Sequence, residues 1–215
     1  MFAESNEAKR RVLRARMEDG CLPSRPLATD VRELSRENIP AGVDGVTAGV
    51  PCQSVSQAGR RLGMAGPSGL VREVWRVVDL TNACFVLLEN VDGLRSHQEV
   101  WRSLLEALWA RSFQIRWATV SGENVGVRQR RRRIFLLATR GPLARAGPFY
   151  FLPEDPALDT LIEREWDAAF NPPGRPPMHR WLSSAADVDQ ARLAMLGDAV
   201  IPQQALLAAS LFATQ

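Results

Sequence analysis

The sequence is almost without lysine. Lys9 is the only one among 27 basic residues, and the remainder are arginine. A GC-rich coding sequence explains that bias without reference to function. Cysteine is scarce as well: Cys21, Cys52 and Cys84 are widely spaced, odd in number and form no CxxC pair. That excludes a disulfide framework and a patterned zinc site, so no metal is expected. A reduced, intracellular chain is the simple reading. No apolar run approaches the ~18 residues of a membrane-spanning helix, so no membrane partner is expected. Met1 to Lys9 lacks the apolar core of a signal peptide.

What is present fits a globular protein. The chain has 215 residues, 46% of them hydrophobic, enough for one sizeable core and a small lobe. The net charge of +3 says little about partners. The clustering says more: Arg128 and Arg130 to Arg133 lie within six positions.

Hydrophobic spacing alternates between helical and strand-like over the first two-thirds. This predicts an α/β fold with a mostly parallel sheet. Glu7 to Met17 reads as a helix with Ala8, Val12 and Ala15 on one face. Val43 to Ala48 is a short strand running into Pro51-Cys52-Gln53. Leu70 to Leu80 is a helix. Ala83 to Leu88 is a continuous apolar run suited to a buried strand that ends at Glu89-Asn90. Val100 to Trp109 is an amphipathic helix whose stripe includes Trp101, Leu104, Leu105, Leu108 and Trp109. Phe113 to Val120 and Arg131 to Thr139 are two further strands. From Gly141 to Pro177 proline and glycine dominate, and Gln203 to Phe212 closes the chain as an apolar helix. The expected organisation is a core over 1–139, a small irregular lobe over 140–190, and a return to the core over 191–215.

Three groups of residues carry chemistry. Ligands of open α/β sheets sit beyond the carboxyl ends of the strands. Cys52 follows one such strand and Glu89 ends another. The loop Ala48 to Gly59, with a proline and many small residues, suits a thiol that is presented rather than packed. A lone cysteine is more often a small buried hydrophobe, and Cys84, inside an apolar strand, is expected to be inert. A carboxylate at a strand end is more often a cap or a surface group. The third group is Gln129 to Arg133. Alternation along a strand would turn Gln129, Arg131 and Arg133 one way and Arg130 and Arg132 the other. An isolated arginine run is more often a solvated or generic phosphate-binding patch.

Taken together, these residues resemble the DNA (cytosine-5)-methyltransferase family. Its Pro-Cys-Gln loop, followed by Ser and Ala-Gly, matches Pro51-Cys52-Gln53, Ser56 and Ala58-Gly59. Its Glu-Asn-Val matches Glu89-Asn90-Val91. Its Gln-x-Arg-x-Arg matches Gln129 to Arg133. A late Gly-Asn-Ala-Val-x-Pro resembles Gly197 to Pro202. The motifs also occur in the family's order, from about Glu4 to Ala209.

The resemblance implies a Rossmann-like S-adenosylmethionine-dependent methyltransferase fold, with helices on both faces of the sheet and a small target-recognition lobe. It implies Cys52 as the nucleophile at C6 of cytosine, Glu89 as the acid at N3, and an arginine donor to O2, with Arg133 ahead of Arg131. The substrate would be double-stranded DNA with the target base flipped out. Gln53, Ser56, Gln129, Arg130 and Arg132 are candidates for nucleic-acid contact. Glu4 resembles the acid that holds the cofactor's ribose, Asp30-Val31 the adenine-contacting pair, and Asp198 and Val200 the later cofactor contacts. Localisation would be cytoplasmic and nucleoid-associated, or nuclear in a eukaryotic or viral setting.

The sequence departs from the family in places. These 215 residues contain no Phe-x-Gly-x-Gly loop, the family's first cofactor motif. Truncation, a second polypeptide that supplies the segment, and a decayed copy are the three readings, with truncation favoured. Val50 and Arg128 stand where prolines are common, and Asp198 where an asparagine is. An RNA cytosine-5 methyltransferase and a non-catalytic DNA-binding remnant are the competing functions.

Overall fold

Strict alternation of side chains builds the main sheet of the computed structural model, which describes residues 1–50, 69–125, 131–141, 150–151, 204–205 and 207–208. Five strands take part: β3 (Gly45–Gly49), β4 (Phe85–Val91), β5 (Gln114–Val120), β6 (Arg133–Thr139) and β7 (Tyr150–Phe151). Their order in the sheet is β3-β4-β6-β5-β7. The β3–β4 and β5–β7 pairs are parallel, while β6 runs against both of its neighbours. Four strands therefore share one direction and β6 alone is reversed. β1 (Phe2–Ala3) and β2 (Leu27–Ala28) form a separate parallel pair.

The two faces of the sheet feed two cores. Val86, Leu88, Leu136 and Ala138 point to one face, where they meet α2 (Gly69–Thr81) through Val74 and Val78 and α3 (Gln98–Trp109) through Leu104, Leu105 and Leu108. On the other face, Ala118, Val120 and Phe135 pack against Leu207 and Ala208. Gln204, Ala205, Leu207 and Ala208 are helical, in keeping with the helix expected over Gln203 to Phe212. Alternation with period two is what allows one strand to serve both cores. Trp101 and Trp117 meet edge to face at 5.3 Å within the first core.

Helix ends follow local chemistry. Asn6 caps α1 (Glu7–Glu18) by accepting from Lys9 N at 3.1 Å, and Gly20 follows the helix at φ +74°. α2 gives way to Asn82 at φ +51°, whose Oδ1 accepts from Arg140 Nη2 at 3.0 Å. Arg76 of α2 donates from Nη2 to Val31 O at 2.7 Å and also reaches Leu34 O. That side chain ties the segment after β2 to the main sheet's helical layer.

Two stripes differ from expectation. In α1, Val12 and Ala15 face solvent, Val12 at 52% exposure, and no residue is fully buried. Arg10 reaches back to Glu4 O at 2.9 Å, which turns the Arg10–Leu13–Met17 side inward instead. In α3, Trp109 is 60% exposed, because the helix ends there and the chain turns away through Ser112 at φ +61°. Tyr150–Phe151 joins the sheet as its edge strand, a contribution the weak pattern after Thr139 did not announce.

Candidate active site

The parallel pairing of β3 and β4 puts their carboxyl ends side by side, with Gly49 opposite Glu89. Glu89 lies inside β4, two residues before the strand ends, and not beyond it as the apolar run suggested. A Cβ on Gly49 would stand 3.4 Å from Glu89 Oε2, an ordinary contact, so the carboxylate lies directly beside the end of β3. The next residue, Asn90, donates from Nδ2 to Val50 O at 3.1 Å. Asn90 thereby holds the chain leaving β3 against the end of β4.

Arg133 completes the arrangement. It opens β6 opposite Val91, diagonal to Glu89 on the same face of the sheet. Its Nε lies 3.0 Å from Glu89 Oε1, with the side chains 12% and 21% exposed. Burial pushes the Glu89 carboxyl above its usual range and outweighs the opposing pull of Arg133 and Arg131. The result is an acid that holds its proton more readily than a surface glutamate, with a guanidinium beside it.

The arginine run divides as alternation predicts. Arg133 faces Glu89, and Arg131 is close enough to act on Glu89's charge. Arg132 turns elsewhere: its Nε is 3.4 Å from Asp92 Oδ2, and Asp92 accepts from Thr119 Oγ1 at 3.1 Å. Regular strand structure begins only at Arg133, so Arg131 and Arg132 precede the strand and do not lie in it. The lead-in is held instead by Gln204. Its Nε2 donates to Val120 O at 2.9 Å and to Arg131 O at 2.7 Å.

Three of the cofactor candidates, Glu4, Asp30 and Val31, lie at the other sheet. Glu4 follows β1 directly and Asp30 lies just past β2, so both acids stand at carboxyl ends of neighbouring parallel strands. This is where α/β folds bind ribose hydroxyls and bases. Glu4 Oε1 accepts from Asn6 N at 2.7 Å, which fixes its carboxylate. Glu4 fits a group that offers hydroxyl donors. Asp30 is held by Arg32 at 2.9 and 3.0 Å, and that contact lowers its pKa to about 2. It can present acceptors to an adenine only when Arg32, whose side chain is 70% exposed, turns away. Val31 is fixed through its carbonyl by Arg76. Among the described residues no group of His, Cys, Asp and Glu could hold a metal ion. No described helix is long and apolar enough to cross a membrane.

Cys52, Gln53, Ser56, Gln129, Arg130, Asp198 and Val200 lie outside the described residues, as does nearly all of the segment expected to form the lobe. Cys84, expected inside the strand, is half-buried just before β4, where its N–H donates to Asp44 O at 2.7 Å, and Cys21 is exposed.

Residues 22–165 match the family model of C-5 cytosine-specific DNA methylases. The chain belongs to that family. Among the relatives of this methylase-family chain is the Type II methyltransferase M.NlaIV of Neisseria lactamica. It is 34% identical over 117 residues, which cover 50% of this chain and 27% of that protein. The Type II methyltransferase M.NgoPII of Neisseria gonorrhoeae is 30% identical over 143 residues, covering 64% of this chain and 42% of the relative. The chain thus spans less than half the length of these two methylases. The solved methyltransferase EhMeth of Entamoeba histolytica superposes with a TM-score of 0.54 at 14% identity, over 72% of this chain and 49% of that one. That likeness shows a shared methyltransferase fold.

Three residues that make contacts around the Glu89–Arg133 pair carry no strong signal in the sequence. Asn90 was grouped with Glu89 but given no task, Asp92 was not singled out, and Gln204 was counted only as part of an apolar helix. A polar side chain inside an otherwise apolar helix was the available signal for Gln204.

Proposed function

We propose that this chain carries the catalytic groups of a DNA cytosine-5 methyltransferase that transfers a methyl group from S-adenosylmethionine to C5 of a flipped cytosine. The observation that carries the reading is the buried Glu89–Arg133 pair, set beside the strand that leads to Cys52. Only Pro51 separates Val50, held by Asn90, from Cys52, a reach of at most about 7 Å.

In this reading the Cys52 thiolate adds to C6 of the cytosine, forming a C–S bond and sending the ring's electron pair toward C5 and N3. Glu89, which burial keeps inclined to hold a proton, donates to N3 and relieves the charge that develops there. Arg133, with Arg131 behind it, supplies the guanidinium for O2 and fixes the base. Glu4, Asp30, Val31, Asp198 and Val200 would hold the cofactor, whose sulfonium would supply an electrophilic methyl group for attack by the C5 electron pair, with S-adenosylhomocysteine as the leaving group. A solvent base then takes the C5 proton, the released electron pair re-forms the C5–C6 double bond and expels Cys52 as thiolate, and N3 returns its proton to Glu89.

Base flipping costs a few kcal/mol, which phosphate contacts offset. Gln53, Ser56, Gln129, Arg130 and Arg132 are assigned to the nucleic acid. Arg132 would exchange its long contact with Asp92 for phosphate. Apart from β7, which belongs to the main sheet, the segment 140–190 is assigned to target recognition and 191–215 to the core.

The test is mechanism-based trapping on duplex DNA containing 5-fluorocytosine, with S-adenosylmethionine present. A covalent complex that survives denaturation is expected from the wild type and none from Cys52→Ser. Persistence of the complex in Cys52→Ser would overturn the assignment of the nucleophile. Trapping on a tRNA substrate and none on DNA would move the reading to RNA.

A further inference from the structure

The C-terminal helix places a fully buried amide against the segment that carries the arginines. Gln204 is 0% exposed among apolar neighbours, with Leu207 and Ala208 packed on Val120, Ala118 and Phe135. Antiparallel pairing of β5 and β6 ends with Val120 opposite Arg133. Past that pair the ladder stops, and the carbonyls at its mouth need donors from elsewhere, since a buried carbonyl without one is costly. The single Nε2 of Gln204 serves two of them, Val120 O at 2.9 Å and Arg131 O at 2.7 Å. One side chain therefore pins the last residue of β5 to the residue two before Arg133. On the far side of the connection, Ser121 N and Oγ both donate to Asn124 Oδ1 at 2.8 Å and close a local turn. That turn does not reach Arg131.

We propose that Gln204 is a positioning residue of the active site: its amide sets the backbone at Arg131, and through it the placement of Arg131 and Arg133 against Glu89. The proposal deepens the methyltransferase reading but rests on a contact that can be measured without turnover. Among the described residues, the charged groups that act on Glu89 are Arg133 and Arg131. Arg131 is the clamped residue itself, and Arg133 follows it by two residues on the same chain segment. If the clamp is lost, both guanidinium groups drift from the carboxylate and Glu89 becomes harder to ionise. Leu207 and Ala208, by contrast, pack the helix against Ala118, Val120 and Phe135.

The experiment is a 13C NMR titration of the glutamate side chains in the full chain, with Glu89 assigned by its loss in Glu89→Gln. Wild type, Gln204→Met and Leu207→Ala are compared. Methionine keeps the length of glutamine without its donors. Leu207→Ala weakens the same helix and leaves the amide in place. The Glu89 pKa should rise by about one unit in Gln204→Met and stay unchanged in Leu207→Ala. The same value in wild type and Gln204→Met overturns the proposal. So does an equal rise in Leu207→Ala, because Gln204 would then act only through helix packing. A Gln204→Met chain that does not fold makes Gln204 a structural group, and that also overturns it.

Where the methyltransferase reading holds, Gln204→Met should lower kcat at least about tenfold and leave KM for the cofactor unchanged, as expected for a displaced catalytic group. A wild type that traps no cytosine while its Glu89 responds to Gln204→Met would sink the functional reading and leave the positioning role standing.

Discussion

Arg133 Nε sits 3.0 Å from Glu89 Oε1, across two antiparallel strands and largely out of solvent. The guanidinium does not keep the acid in the ordinary range: burial prevails and Glu89 stays easier to protonate than a surface glutamate. A buried ion pair is poor insurance for stability but a suitable way to hold a proton donor in register with a cation. The consequences can be measured.

Glu89 gives stability a pH slope. Its folded pKa lies above the ordinary 4.5, so the folded chain binds more protons than the unfolded one between those two values. The stabilisation is complete below about 4.5 and fades as pH rises through the folded pKa. Glu89→Gln removes the slope. Urea unfolding from pH 4 to 8 should show the wild type losing ground steadily against the variant, then levelling off. A constant difference across that range would contradict the shift.

Arg133→Ala should cost more at pH 8 than at pH 5. At the higher pH it leaves a buried carboxylate with one fewer cation, a penalty of about 1–3 kcal/mol. At the lower pH a larger share of Glu89 is protonated and the penalty shrinks. Denaturation midpoints at the two pH values decide this, and a larger loss at pH 5 would count against it.

Gly45 lies beneath an aromatic ring. A Cβ there would fall 2.0 Å from Cζ of Phe85, its partner in the β3–β4 register. Gly45→Ala forces the ring aside, with an expected loss of about 1–3 kcal/mol. Gly45→Ala combined with Phe85→Leu should recover part of that loss. Thermal denaturation of the single and double variants checks the coupling.

Arg76→Met should loosen the cofactor side without disturbing the main sheet. It removes the donors to Val31 O and Leu34 O and the pair with Glu73 at 2.6 Å. Hydrogen exchange should quicken around Val31 to Leu34 and hold steady in β4 and β6. Faster exchange in the strands would mean that Arg76 supports the whole fold.

Arg130→Ala tests the outward half of the arginine run. If that residue meets phosphate, DNA binding weakens across all sequences and the slope of log K against log salt falls by about one unit. An unchanged slope assigns Arg130 to solvent.

Periodicity in the sequence was enough to find α1, α2, α3 and the strands β3 to β6 within a few residues, because each has one or two faces that must leave water. The motif residues were legible for a related reason: Glu89 and the Gln129 to Arg133 run are polar groups where the apolar pattern calls for none. Strand order was not legible. Reversal of β6 between β4 and β5 is what brings Arg133 back across Glu89, and nothing local in the sequence states it. The exposed Val12 and Trp109 were misread because a hydrophobic residue at helical spacing does not by itself say what will cover it.

By itself the sequence determined the chemistry available to this protein: one thiol in a proline-bearing loop, one acid after an apolar strand, and a run of arginines, in the order of the methylase family. Tertiary structure decided which of these groups meet. Burial at the β4–β6 seam raises the Glu89 pKa, the strand register selects Arg133 over Arg132 as its partner, and an amide from the far end of the chain holds the segment between them. Desolvation and distance are properties of the packed chain, so no reading of residues in order could have supplied them.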